Sequence, residues 1–453
     1  MQNRFLLGVS VGESFAEYCL LEGTKVVATK RAYLSRENLK NSLQQFISGH
    51  SDKKISKAAI SLRVSAKLLD YKLNGAIAHI TTEGFEHWLD LHKCTKTSLT
   101  ISDLQFSLRE RIQADGKIST ALAMDELEAI AAKLLLLETK KVCVHLLHAS
   151  INPTHEIAVK NFLTEKGFEV FVPEKTDNAD EVSRWRKNAL NATVASLFSD
   201  LKKEIQEALQ SSVDAENIHY LAAHGEFVQD VEKNSVSSLA GSYSALALVQ
   251  KNATRDILYL GLESFVLISA KNWKTQWMSP WGNIENKHIS FRELAIQPTL
   301  QIGLNAFQHF DFNKESEGWE PGPMFLGRGQ KATLLDLWAE NPKLAKVDGL
   351  QDRVTAAGVQ RFKNSMFALS KASRGQEKEV PGVTKELQSL AIQKLAMESL
   401  MFRQGKEILV TGPLADMFSN GFKKDPKATI AADEFAQSHA VALLGQSLLK
   451  GEG

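Results

Sequence analysis

The sequence predicts an α/β protein built from two similar lobes around a central cleft. Three observations carry that expectation. Strand-like and helix-like segments alternate through most of the 453 residues, the pattern of layered α/β architecture. The chain is long for one hydrophobic core, so more than one domain is expected. A strand–glycine–strand hairpin opens the chain with VGESF at 11–15, and a near copy, LGLESF, recurs at 260–265.

The elements follow in order. Apolar runs at Phe5–Val9 and Phe15–Leu21 flank Gly12 and read as two strands of a hairpin, with the glycine at the sharp point. TKVVATKRAYL (24–34) continues as a third strand, ENLKNSLQQFISGH (37–50) reads as a helix, and SKAAISL (56–62) as a strand. MDELEAIAAKLLLLE (124–138) is a helix with acids in its first turns, where the helix dipole favours them, before the buried strand KVCVHLLHA (141–149). From Asp180 to about Ser211 the apolar period of 3.6 predicts one long amphipathic helix joining the lobes. The pattern then restarts with strand NIHYLAAHG (217–225), helix SSLAGSYSALALVQ (237–250) and hairpin DILYLGLESFVLISAKN (256–272). The boundary is therefore set at 1–215 and 216–453. The last third is helical over 351–375 and 383–405, followed by strand KEILVTG (406–412). Pro413 suits a helix's first turn, and a closing helix is expected from near Asp433.

Composition excludes several classes. Lys plus Arg (54) nearly cancel Asp plus Glu (53), so no net field attracts nucleic acid or an anionic membrane. No apolar stretch approaches the roughly 20 residues that span a bilayer. The apolar run near the start is too short for a signal peptide. Cys19, Cys94 and Cys143 show no paired spacing. They read as reduced, structural thiols of a cytoplasmic protein.

Two glycine hairpins and a late strand–glycine–helix resemble the skeleton of the actin-like ATPase fold, whose lobes are RNase H-like. Three further stretches narrow the resemblance. LLHASINPTHE (146–156) is similar to a His-Ser-Tyr-x-Asn-Pro-x-His-Glu signature, EVSRWRKNALNATV (181–194) to a Glu-x-x-Arg…Leu-Asn-Ala helix, and PGPMFLGRGQKATLLDLW (321–338) to a Pro-Gly-Pro…Gly-Arg-Gly…Thr-x-x-Asp segment. Together, and in this order, they resemble the hydantoinase A/5-oxoprolinase family over about residues 5 to 450. The resemblance implies ATP-dependent hydrolytic opening of a cyclic amide such as hydantoin or 5-oxoproline, with Mg-ATP as cofactor. It also implies a B-type hydantoinase subunit as partner, with a homo-oligomer as the alternative.

Carried over position by position, the resemblance assigns nucleotide contacts to Gly12, Ser14, Glu17, Gly241, Gly261, Ser264 and Gly412. The pattern departs at those sites. Where active members resemble Asp-x-Gly-Gly-Thr-x-Thr-Asp, this chain has Ser10 for the first acid, Glu13 for the second glycine and Ala16 for a threonine. Tyr259, Leu262, Glu263, Phe265 and Val266 depart likewise in the second hairpin, and GSYSA (241–245) keeps only Gly241 of a Gly-Pro-Ala segment. A phosphate cradle needs open backbone N–H groups, and a Mg²⁺ site needs a carboxylate. A like-charge contact at about 4 Å costs on the order of 4 kcal/mol at an effective dielectric near 20. The phosphate loops therefore read as degenerate, and a catalytically inactive binding or scaffold subunit is favoured over an active hydrolase.

Other candidates are open to two readings. His148, His155 and Glu156 could ligate a metal; alternatively NPTHE starts a helix, with His148 bonded to backbone. Glu181 and Arg184, one turn apart, could face the cleft or form a surface ion pair. Arg328, between two glycines, could reach an anion or be a solvated turn arginine. Thr333 and Asp336 have capping-box spacing. Trp273, Trp277 and Trp281 could form a partner surface or pack in a core. No nucleophile elbow, P-loop or zinc-finger spacing occurs, so no catalytic residue is named.

Overall fold

The computed structural model describes residues 4–12, 15–34, 39–63, 77–90, 102–173, 181–222, 225–229, 241–249, 255–261, 265–269, 275–279, 282–286, 290–294, 323–327, 332–347, 349–350, 353–372, 380–403, 407–431, 433 and 435–450. Three strands open the chain as an antiparallel meander: β1 (Phe5–Val11), β2 (Phe15–Glu22) and β3 (Lys25–Tyr33). Every residue of β1 is buried, because helices cover one face of this sheet and the other faces protein as well. Helix α1 (Leu39–Ser48) leads to β4 (Ile55–Leu62), which pairs parallel to β1.

The chain then makes a long excursion through a second layer. It runs through β5 (Ile77–Thr82), β6 (Gln105–Leu108), the small hairpin β7 (Arg111–Ile112) and β8 (Ile118–Thr120), α2 (Met124–Leu136), β9 (Lys141–His145), α3 (Thr154–Glu165) and β10 (Glu169–Phe171). Four of these strands form a parallel sheet in the order β10-β9-β5-β6. Ala78, Ile80, Val142 and Val144 turn one face of it onto a core shared with Leu127, Ile130 and Leu134 of α2 and Val159 and Leu163 of α3. Helix α4 (Glu181–Leu209) returns to the first sheet as the single long helix expected.

Strand β11 (Ile218–Leu221) pairs parallel to β4, and β12 (Phe227–Val228) pairs with β11. Strand β11, which follows the boundary expected at 215/216, pairs with the N-terminal sheet. Parallel pairing across more than 150 residues leaves no local mark on either strand.

The second lobe begins with α5 (Gly241–Val249), β13 (Asp256–Leu260) and β14 (Phe265–Ser269), followed by β15 (Thr275–Ser279), β16 (Gly282–Asn286) and β17 (Ser290–Leu294). It ends with α6 (Ala356–Ala372), α7 (Val380–Arg403), β18 (Ile408–Thr411), α8 (Ala415–Phe418), β19 (Ala428–Ala431) and α9 (Ala436–Lys450). Its sheet runs β17-β14-β13-β18-β19, and the first runs β3-β2-β1-β4-β11 before the added β12. In each, the second strand is antiparallel to its neighbours and the fourth and fifth are parallel to the first. The pair Val11↔Ala16 closes one hairpin and Leu260↔Phe265 the other, with Gly12 and Gly261 following the first strand of each. The duplication expected from a few residues is a duplication of topology. Strand β19 was not expected; it is four residues long at a sheet edge and only half-buried, so no apolar run announces it.

The lobes share their cores. Alternate residues of β13 divide between them, with Ile257 and Tyr259 joining the first core and Leu258 and Leu260 the second, which also takes in Phe15 and Tyr33. In the second lobe Thr333 and Asp336 form the expected capping box, and Asp336 also accepts the Phe325 backbone N–H at 3.0 Å. Helix α9 crosses back to lie on β1 and β4 at close range. A Cβ on Gly8 would meet Ser438 O at 2.4 Å and Ala442 Cβ at 2.5 Å, and one on Gly445 would meet Ala59 Cβ at 2.6 Å. Among the described residues, no helix is long and apolar enough to cross a membrane.

Gly8→Val is expected to lower the unfolding free energy by about 1–3 kcal/mol, as overpacking of a tight contact does. Gly382→Ala, in α7 with open space around it, is expected to raise it by roughly 0.5–1 kcal/mol. Urea unfolding of the two variants beside the natural chain checks both signs.

Candidate functional site

The hairpin positions assigned to nucleotide contacts have other partners in the structure. Gly12 donates its N–H to Phe15 O at 2.9 Å, closing the turn. Ser10, buried on β1, donates its hydroxyl to Gln437 Oε1 of α9 at 3.4 Å. Glu17 Oε1 accepts Arg31 Nη2 at 2.8 Å and Arg31 Nε at 3.2 Å. Both side chains are buried. Burial raises the Glu17 carboxyl from its ordinary value, while the Arg31 guanidinium and the backbone amide of Ser438 pull it back. The Arg31 guanidinium also lies 5.3 Å from the Phe435 ring centroid and 5.8 Å from that of Phe15.

Two retained glycines have a packing reason of their own. A Cβ on Gly241 would meet Leu221 O at 2.6 Å, and one on Gly412, whose φ is 104°, would meet Leu260 O at 2.7 Å. Their missing side chains make room for the chain's own backbone. Two residues on from Gly241, Tyr243 accepts a hydrogen bond from Arg63 Nη1 at 2.8 Å, with the guanidinium 5.6 Å from its ring centroid. Arg63 itself donates its N–H to Val11 O at the end of β1. Gly261 follows β13 and is buried. Ser14, Ser264 and Arg328 lie outside the described residues, as do Glu13, Leu262, Glu263, Trp273 and Trp281. Among the described positions assigned to nucleotide contacts, Glu17 is paired with Arg31 within the sheet, and Gly241 and Gly412 lie against backbone carbonyls.

A different set of chemistry-bearing residues converges on the parallel sheet. Opposite its apolar face, His79 and Thr81 of β5 and Cys143 and His145 of β9 point the other way, and all four are buried. The register places His79 opposite Cys143 and Thr81 opposite His145. Helix α4 covers this polar face. Its Trp185 stacks on His145 with ring centroids 5.6 Å apart and planes 13° from parallel. Its Asn188 Nδ2 donates to His145 Nε2 at 3.1 Å and to Phe171 O at 3.0 Å. Burial, with His79 beside it, holds the His145 imidazole neutral well below the ordinary histidine range.

At the carboxyl ends of the same strands a hydrogen-bonded chain forms. Leu147 N–H donates to Thr82 Oγ1 at 2.9 Å, Thr82 Oγ1 donates to Glu110 Oε1, and His155 Nδ1 meets Glu110 Oε2 at 2.8 Å. His148 Nδ1 meets Ile112 O at 2.8 Å, the backbone bond weighed above. Glu156 is buried in the first turn of α3, and Asn152 Oδ1 accepts Thr154 N–H at 3.1 Å ahead of that helix. His148, His155 and Glu156 therefore do not converge on a metal. Among the described residues the group whose ligand atoms do converge is His79, Cys143 and His145. Glu181 and Arg184 pair at 3.1 Å with Arg184 buried, and Glu181 also accepts Ser150 Oγ at 3.3 Å. The i,i+3 pair lies within α4, with Arg184 buried and Glu181 partly exposed, and the exposed bond to Ser150 ties the start of α4 to the segment after β9. A pocket of about 400 Å³ lined by Arg4, Lys54, Gln210 and Asp214 opens at the amino ends of β1 and β4, the opposite end of the sheet from Gly12.

Residues 6–167 match the family described as hydantoinase/oxoprolinase N-terminal region. No curated protein matches the chain. Among solved structures, nucleotide-free acetone carboxylase, an ATP-dependent enzyme, superposes with a TM-score of 0.74 at 12% identity, over 97% of this chain and 70% of that one. The ATP-dependent caprolactamase of Pseudomonas jessenii gives 0.73 at 16% identity, over 97% and 70%. The likeness is one of fold, and it spans both lobes.

Arg31→Met is expected to cost about 3–5 kcal/mol, because it leaves the Glu17 charge buried without its partner. Glu17→Leu combined with Arg31→Met should recover most of that loss. The single variant's loss should shrink as pH falls toward the ordinary glutamate value of 4.5. With the folded pKa above the unfolded one, the native state binds more protons between the two values, so stability falls as pH rises through that window. Denaturation at several pH values tests magnitude and sign together.

Proposed function

We propose that this chain, which over residues 6–167 belongs to the hydantoinase/oxoprolinase N-terminal region family, is a non-catalytic binding or scaffold subunit. It keeps the two-lobed body of ATP-dependent relatives without their phosphate chemistry. The observation that carries the reading is the commitment of Glu17 to Arg31. An acid that would organise Mg²⁺ must face the ligand, and this one is buried in a sheet pair beside the last helix. Ser10, turned toward Gln437, and Tyr243, set against Arg63 at the end of β1, support the same conclusion. On this reading the partner is a B-type hydantoinase subunit, with self-association as the alternative.

A thermal-shift titration with Mg-ATP to millimolar concentration tests the proposal. A ligand at a hundredfold excess over Kd stabilises the native state by about 2.7 kcal/mol, which for a chain of this size raises Tm by roughly two degrees. The expected response is flat, with no Mg-ATP-dependent ring opening of hydantoin, 5-oxoproline or caprolactam. A dose-dependent rise with ATP accompanied by turnover would overturn the reading.

A further inference from the structure

We propose that His79, Cys143 and His145 form a buried binding site for one transition-metal ion of the zinc class, held between the parallel sheet and α4. The ligand atoms of the three residues all lie within 4.8 Å of one another. They come from adjacent strands in fixed register, His79 directly opposite Cys143 and His145 two residues further along β9. Strand alternation puts all three on one face. In a tetrahedral site, bonds of about 2.0–2.3 Å set ligand atoms some 3.3–3.8 Å apart. Binding would draw the ligand atoms together by up to about 1 Å.

A second observation points to a bound group. His145 Nδ1 and Thr81 Oγ1 are buried and have no hydrogen-bond partner among the described residues. Buried polar atoms in native proteins are rarely left so, and where they are, a water or an ion is the usual explanation. Thr81, opposite His145 in the register, is suited to hold a water that completes the shell. Two imidazoles and a thiolate are a borderline-to-soft donor set, which selects Zn²⁺ or its neighbours over Mg²⁺ and Ca²⁺.

The proton balance is simple. The buried Cys143 thiol is held protonated above its ordinary range, so binding forms a metal–sulfur bond and releases one proton to solvent. The imidazoles coordinate as neutral rings. Asn188 now donates to His145 Nε2, leaving Nδ1 for the ion. With Nδ1 coordinated the ring proton sits on Nε2, so Asn188 must turn its Oδ1 toward it and give up its bond to Phe171 O. Asn188→Asp supplies an acceptor at that position, the carboxylate–histidine arrangement that supports metal ligands.

The test uses the full chain, stripped with chelator under reducing conditions and titrated with Co²⁺ alone. One equivalent is expected to give a near-ultraviolet thiolate-to-cobalt charge-transfer band and the strong visible bands of a four-coordinate ion, with release of one proton. Zn²⁺ should displace it. Cys143→Ser should abolish the charge-transfer band, Cys19→Ser should keep it, and Asn188→Asp should tighten binding about tenfold or more. Absence of any saturable band in the natural chain, shown folded by circular dichroism, would overturn the proposal without recourse to a variant. So would a band that survives Cys143→Ser.

Discussion

The Glu17–Arg31 ion pair is the contact on which the arrangement around the first hairpin depends. Its two residues face each other across β2 and β3. The guanidinium lies between Phe15 of the hairpin and Phe435 just ahead of the last helix, and its stem packs against Gly349 of the second lobe. The Ser438 amide in the first turn of α9 stabilises the carboxylate. Hairpin, meander, final helix and second lobe therefore meet at one buried charge pair. Such pairs contribute little net stability compared with well-packed apolar groups, yet removing one member is costly. Breaking the pair would therefore loosen the hairpin and the helix that closes the lobe together.

The parallel sheet solves a different problem. Its α2 and α3 side is an ordinary apolar layer, but its α4 side presents imidazoles, a thiol and a hydroxyl. A smooth apolar face would let a 29-residue helix settle in several registers. Here the stack of Trp185 on His145 and the two donations from Asn188 hold α4 in a single position. The chain from Leu147 through Thr82 and Glu110 to His155 fixes the carboxyl ends of the strands in the same way. Hydrogen bonds, being directional, specify position where apolar contact alone would only favour burial.

The elements were legible in the sequence wherever the signal was local. The two hairpins showed through Gly12 and Gly261 and the apolar runs beside them, and the long helix through its period. The allegiance of β11 was not legible, because pairing with β4 depends on where the intervening excursion returns. The partner of Glu17 was not legible for the same reason: the resemblance gives it a place in the hairpin, and only the meander brings Arg31 across from it. Of the metal candidates, His148 and His155 stood out in a motif, whereas His79 and Cys143 are 64 positions apart and meet only through strand register. A signal was present. His79 and Thr81 on β5, and Cys143 and His145 on β9, alternate with Ala78, Ile80, Val142 and Val144, which marks a polar face on a buried sheet.

The close seat of α9 on β1 and β4, at Gly8, Ala59 and Gly445, has a consequence for how the protein is made. The first sheet is nearly all synthesised early, yet its lid comes from the last helix of the chain. Contacts of such sequence separation form late and slow folding. While the ribosome completes the second lobe, the glycine-lined face of β1 stands open, an apolar surface of the kind that holding chaperones shield. The lobe made first is thus the lobe finished last, and damage near residue 440 strikes the opposite end of the sequence.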